Sequence, residues 1–164
     1  MDGFLDRVSI LTGRATAWMT VFMVLITVVV VVMRYVFDAG LIWLQESVTW
    51  MHAFVFMMGA AYTLQRDEHV RVDIFYRGMS EQRRAIVDLL GVLLFLWPLC
   101  AFLGWAAWDF VAVSWSLKEA SRESGGLPYP LIPLIKSVLV LMPLTIALQG
   151  LSLALKSLQR IKAS

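Results

Sequence analysis

Four long apolar runs separated by short polar segments dominate the chain. Residues 15–33 form 19 consecutive positions without Asp, Glu, Lys or Arg. Residues 47–64, 89–108 and 137–155 repeat the pattern over 18, 20 and 19 positions. A helix needs roughly 20 apolar residues to cross a hydrocarbon core about 30 Å thick, so each run is long enough to span. The third run resumes after Asp109 and continues to Leu117, which predicts spans at about 15–33, 47–64, 89–117 and 137–155. As one helix, 89–117 measures about 43 Å, so it tilts or projects from the bilayer. Val28–Val32 would favour a strand in water. In lipid a lone strand leaves its backbone unsatisfied, and helix is the expected form. The fold class is therefore all-α, an integral membrane four-helix protein forming a single domain over 1–164.

Composition supports lipid as the solvent. Sixty per cent of residues are hydrophobic and 16% charged, against roughly 45–50% and 25% in soluble domains. The net charge of +2 is too small to suggest nucleic acid as a partner. The basic residues carry topology instead. Arg7, Arg14, Arg66, Arg71, Arg77, Arg83, Arg84, Lys156, Arg160 and Lys162 fall on one side of the four spans, and Arg34, Lys118, Arg122 and Lys136 on the other. Lys and Arg are enriched in short cytoplasmic connections, so both termini are expected to be cytoplasmic. The first run lacks a small-residue cleavage site and ends at Arg34, which reads as a retained anchor and not a signal peptide.

Candidate chemistry is sparse. His52 and Cys100 are the ionisable groups deep in the runs. Both are read as packing residues, because neither has a second ligand at metal or haem spacing. No catalytic motif, phosphate loop or metal cluster is found, so no catalytic residue, cofactor or metal is assigned. Glu46 stands where a carboxylate in the first turn of a helix would face the helix dipole. Leu41, Leu44 and Val48 suggest a short interfacial helix before span two. The 69–75 stretch alternates polar and apolar residues as an extended segment would, with His69, Arg71 and Asp73 as a possible polar cluster on the cytoplasmic side. Ser80 is placed as the cap of the next helix. Gly125, Gly126, Pro128 and Pro130 mark a kinked outer loop from Lys118. Pro143 predicts a kink in span four, and Gly59, Ala60 and Ala61 a patch for close helix approach.

The ordered features resemble the small membrane subunit of tripartite ATP-independent periplasmic (TRAP) transporters, the DctQ-like family. The resemblance rests on Arg34-Tyr-Val-Phe37, Trp43-Leu-Gln-Glu46, Gly59-Ala-Ala-Tyr62, His69-Val-Arg-Val-Asp73, Gly126-Leu-Pro128 and Leu148-Gln-Gly-Leu151. Many relatives carry a second acidic residue after the glutamate, and here Ser47 stands there. The resemblance implies a bacterial inner-membrane subunit of a sodium-coupled secondary transporter for small organic anions, usually carboxylates. Its implied partners are a large multi-helix membrane subunit that holds the sodium and substrate sites, a periplasmic substrate-binding protein, and membrane lipid. The small subunit would brace the large one and help dock the binding protein. The candidate interface residues are Trp43, Glu46, Trp50, Asp109, Glu119, Arg122 and Glu123.

Two other classes are weaker. A cytochrome b-type subunit needs paired intramembrane histidines, and a stand-alone exporter needs a carboxylate within the membrane. The charge asymmetry predicts that a reporter enzyme fused after Ser164 is active only in its cytoplasm-sensing form; external activity would overturn the topology.

Overall fold

The computed structural model describes residues 4–66, 73–76 and 78–163. They form helices α1 (Phe4–Val36), α2 (Ile42–Gln65), the single turn α3 (Asp73–Tyr76), α4 (Glu81–Gly91), α5 (Trp97–Ser116) and α6 (Leu131–Ala163). A π-helical turn, Val92–Leu96, joins α4 to α5, so 81–116 is one continuous rod of 36 residues. Among the described residues, three helical stretches are long and apolar enough to cross a membrane: Ile10–Tyr35, Glu81–Ser116 and Leu131–Lys162. The 24-residue α2 encloses the 47–64 run but also carries Glu46, Ser47, Thr49, His52 and Thr63, which dilute its hydropathy.

Two local expectations are corrected. There is no separate interfacial helix before the second run, because α2 is continuous from Ile42 and absorbs Leu44 and Val48 into its first turns. The described end of the 69–75 stretch is not extended, because Asp73–Tyr76 is helical. Ser80 does cap α4: its hydroxyl accepts from the Arg83 N–H at 3.5 Å.

Helix α6 is the centre of the bundle. It packs on α2, α4 and α5 and lightly on α1, whereas α1 packs mainly on α2. The buried positions of α6 are mostly small or compact: Pro133, Val138, Pro143, Ser152, Ala154 and Ser157. Small side chains let backbones approach closely where lipid supplies no hydrophobic drive between helices. The helix continues through Pro143 as a single element. The bundle exterior is apolar, with Val28, Phe56, Phe95, Phe102 and Trp105 all exposed, as expected of a surface solvated by lipid.

The π turn has a sequence cause. Pro98 has no N–H to give to the Leu94 carbonyl, and its ring would press on that carbonyl in a regular α-helix. The ladder widens one turn earlier, and the Trp97 N–H reaches Val92 O. The widened turn sits against Gly150 of α6. A Cβ there would lie 2.6 Å from Leu96 Cδ2 and 3.3 Å from Trp97 Nε1. Trp97 Nε1 also donates to Ala147 O at 3.2 Å, which fixes the register of the crossing. By contrast, a Cβ at Gly59 would meet nothing within 4 Å. Within the 59–61 patch the close approach is made by Ala61, 2% exposed, and a further one lies at Gly13, where a Cβ would enter the Tyr62 ring.

Replacing Gly150 by Val overpacks this crossing and should cost about 1–3 kcal/mol. A lowered unfolding temperature in detergent, with Gly59→Val unchanged, is the expected result.

Candidate functional site

The connection between α1 and α2 and the connection between α5 and α6 lie at one end of the bundle, here the loop end. The start of α2, just after the first connection, is bonded to the second one. Each connection begins with a left-handed residue that closes a helix. Asp38, at φ 52°, ends α1, and the Ala39 N–H returns to Met33 O at 2.9 Å. Lys118, at φ 49°, ends α5 in a Schellman turn, with Glu119 N–H on Ser114 O and Lys118 N–H on Trp115 O. That turn satisfies carbonyls that the helix leaves without partners.

Glu46 lies one position beyond the first turn of α2 and ahead of its apolar run. It therefore does not serve the dipole of its own helix as expected from the sequence. Its carboxylate faces the 117–130 connection. Oε1 accepts from the Ser121 hydroxyl at 2.5 Å, and Oε2 accepts from the Leu127 N–H at 2.7 Å. The Trp43 N–H, one of the amides a helix start cannot satisfy itself, donates to Gly125 O at 3.1 Å. Ser121 N–H bonds Leu127 O at 2.9 Å, and Glu123 N–H bonds Ser121 Oγ at 3.1 Å. Gly125 takes φ +78° in the turn. A Cβ on Gly126 would strike Ser121 and come within 2.7 Å of Glu46 Oε2. Leu127 is buried beside them.

A second cluster ties α5 to α6. Glu119 Oε2 accepts from Ser114 Oγ at 2.6 Å and pairs with Lys136 Nζ at 2.5 Å. Lys136 also lies 4.1 Å from the centre of the Phe110 ring. Trp115 Nε1 donates to Ser137 Oγ at 3.0 Å, and Trp50 Nε1 donates to Leu131 O at 3.1 Å. Both glutamates are held below the ordinary carboxylate range. For Glu46 the causes are the Ser121 hydroxyl and the Leu127 amide, partly opposed by desolvation. For Glu119 they are the bonds from Lys136 and Ser114 and the positive charges of Lys136 and Arg122.

Several sequence candidates are thus gathered and divided. Trp43, Glu46, Glu119, Arg122 and Glu123 share the loop end. Glu46, Glu119 and the Trp50 indole N–H are engaged within the chain, while Trp43, Arg122 and Glu123 are exposed. Asp109 is exposed on α5, and among the described residues it forms no ion pair. His69 and Arg71 lie outside the described residues; Asp73 starts α3 at the opposite end of the bundle. His52 is exposed and stacks on Phe56 at 6.5 Å. Cys100 is a buried free thiol. Among the described residues, no three His, Cys, Asp or Glu side chains converge as metal ligands. Ser121, Ser114 and Lys136 are not among the site candidates the sequence offers, and Gly126 is marked there only as a loop and motif residue. The one available signal was Lys136, a lone cation at the head of an apolar helix.

An open apolar groove of about 660 Å³ lies between α5 and α6, lined by Trp97, Gly104, Trp105, Trp108 and Pro143 among others. It carries almost no polar surface and is suited to hydrocarbon or another apolar helix.

Comparison with known proteins agrees with this architecture. A family model described as "Tripartite ATP-independent periplasmic transporters, DctQ component" matches residues 23–160. The chain is similar to the C4-dicarboxylate TRAP transporter small permease protein DctQ of Vibrio cholerae serotype O1, with 30% identity over 70 residues. That match covers 43% of this chain and 30% of the relative, so the chain spans less than a third of the relative's length. No solved structure matches.

Because both carboxylates are depressed, their contribution to the loop end is complete above the ordinary carboxylate pKa of about 4. It is lost as the pH falls through the lower folded values. Limited proteolysis within 118–130 should therefore accelerate on acidification below about pH 4. Glu119→Gln should cut faster than the parent at neutral pH.

Proposed function

This chain belongs to the DctQ component family of tripartite ATP-independent periplasmic transporters, a multi-pass membrane protein of the inner membrane, and on that premise we propose that it is the scaffold-bracing small subunit of a sodium-coupled carrier. The transported class is small organic anions, with C4-dicarboxylates suggested by the name of the Vibrio relative. In this reading α2 is a fourth crossing, and both termini are cytoplasmic. The loop end then faces the periplasm. Sodium and substrate sites belong to a large partner subunit, and this chain transports rather than catalyses only as part of that assembly.

The observation that carries the bracing role is the aromatic face of the 81–116 rod. Phe95, Phe102, Trp105 and Trp108 are 75%, 58%, 77% and 62% exposed. Trp105 and Trp108, three residues apart, lie on neighbouring positions of the helix surface, and Phe95 and Phe102 extend the aromatic surface around the rod. Beside them runs the α5–α6 groove. Aromatic anchors entering or flanking an apolar groove are the residues that carry most interface energy. A partner helix of the large subunit laid along this face would bury them. At the loop end, exposed Trp43, Arg122 and Glu123 offer one aromatic anchor and charges of both signs to a soluble substrate-binding protein.

Affinity purification through this chain should bring down a large multi-helix membrane subunit. Phe102→Ala/Trp105→Ala/Trp108→Ala should reduce its recovery about tenfold, the loss of only about 1.4 kcal/mol, with the variant still in the membrane. Recovery equal to the parent's would reject this face as the brace. Arg122→Glu with Glu123→Arg should slow uptake without changing that recovery.

A further inference from the structure

We propose that Glu46 is a positioning residue for the partner-binding loop: its carboxylate holds residues 121–127 in one shape before a partner arrives, and is not itself a partner contact. This rests on the docking role proposed above for the loop end.

The argument begins with hydrogen-bonding capacity. An ionised carboxylate only accepts, and its strongest partners are donors it can reach with each oxygen. Both Glu46 oxygens are used, on the Ser121 hydroxyl and the Leu127 amide. The two donors are also bonded to each other's segment, through Ser121 N–H and Leu127 O. The carboxylate thus closes a ring whose other side is a backbone bond. Ser121 extends it, because its oxygen accepts from Glu123 N–H while its proton goes to Glu46. Trp43 N–H on Gly125 O adds a further tie from the same helix.

Packing removes the alternatives. Gly126 passes so near the Glu46 carboxylate and Ser121 that a side chain there would force one of them to shift. The ring leaves Arg122 and Glu123 on its solvent side, exposed and backed by fixed backbone. Neither projects from a free loop. Ordering a loop on binding subtracts from affinity, and a loop already ordered does not carry that cost. Glu46 therefore acts on docking through the loop's shape, from a position in sequence about 80 residues away.

Shape and charge are separable by substitution. Glu46→Gln removes the charge but keeps one acceptor for Leu127 N–H and a donor that the Ser121 oxygen can accept. Glu46→Ala removes both. Gly126→Val leaves the carboxylate in place and forces the ring open. These three are compared in the assembled membrane complex in lipid nanodiscs, in a Cys100→Ser background with a spin label at Ser124→Cys. The probe partner is the substrate-binding protein of the same system.

The label should be immobile in the parent and in Glu46→Gln, and mobile in Glu46→Ala and Gly126→Val. The dissociation constant for the binding protein should rise about tenfold in the two mobile variants and less than threefold in Glu46→Gln, with tenfold corresponding to about 1.4 kcal/mol. An immobile label in Glu46→Ala overturns the positioning role. So does equal loss of docking in Glu46→Gln and Glu46→Ala, because the charge itself would then be the contact. A mobile label with unchanged docking would show the ring to be real and the docking role of the loop to be wrong.

Discussion

The Glu46 carboxylate is the joint between two halves of the bundle that touch little elsewhere. One half is the α1–α2 hairpin and the other is the 81–116 rod, and α6 carries nearly all the helix contact between them. At the loop end, the bonds from Glu46 to Ser121 and Leu127 supply the second connection. Charge-assisted bonds of this kind are about twice as strong as neutral ones. Glu46 reaches from α2 to the 117–130 connection, and Glu119, within that connection, binds Ser114 of α5 and Lys136 of α6. The chain's few acidic groups here therefore organise its surface.

Along the membrane depth the same economy is applied with apolar groups. The centre of α6 is narrow, and Gly150 admits the widened π turn that Pro98 imposes. The Trp97 indole bond to Ala147 O fixes the height at which the two helices cross. Because the inner faces use small residues, the large aromatic ones remain outside. That leaves a protein whose interior holds it together and whose exterior is available to lipid or to a partner helix.

Much of this was legible in the sequence. Charge-free runs give the long helices because their length and apolarity have one solution in lipid. Ser80 was readable as a cap, and the family resemblance followed from ordered short motifs. Several of those motifs acquire a physical reason here: Trp43–Glu46 and Gly126–Pro128 meet in one hydrogen-bonded ring, and Gly150 is the close crossing. What was not legible depended on tertiary pairing. Glu46 has an ordinary local explanation in the helix dipole, and nothing in sequence reveals that a serine 75 residues later is its partner. Leu41, Leu44 and Val48 have helical spacing, but periodicity cannot tell a separate surface helix from the first turns of the following one. Gly59 looks like a packing glycine and has open space beside it, whereas Gly13 drew no notice and has the Tyr62 ring against it.

The central place of α6 also sets an order of events during synthesis. The chain emerges from its N-terminal side, so the α1–α2 hairpin can close as soon as α2 is made. The 81–116 rod comes next and finds little to pack on in that hairpin. Until α6 arrives, its buried positions such as Ala85, Val92 and Val111 face lipid or another protein. The ring at Glu46 must wait too, because Leu127 lies just ahead of α6. Biogenesis of the chain therefore includes an interval with an unaccompanied rod. In that interval a chaperone or another membrane protein would find its surface open.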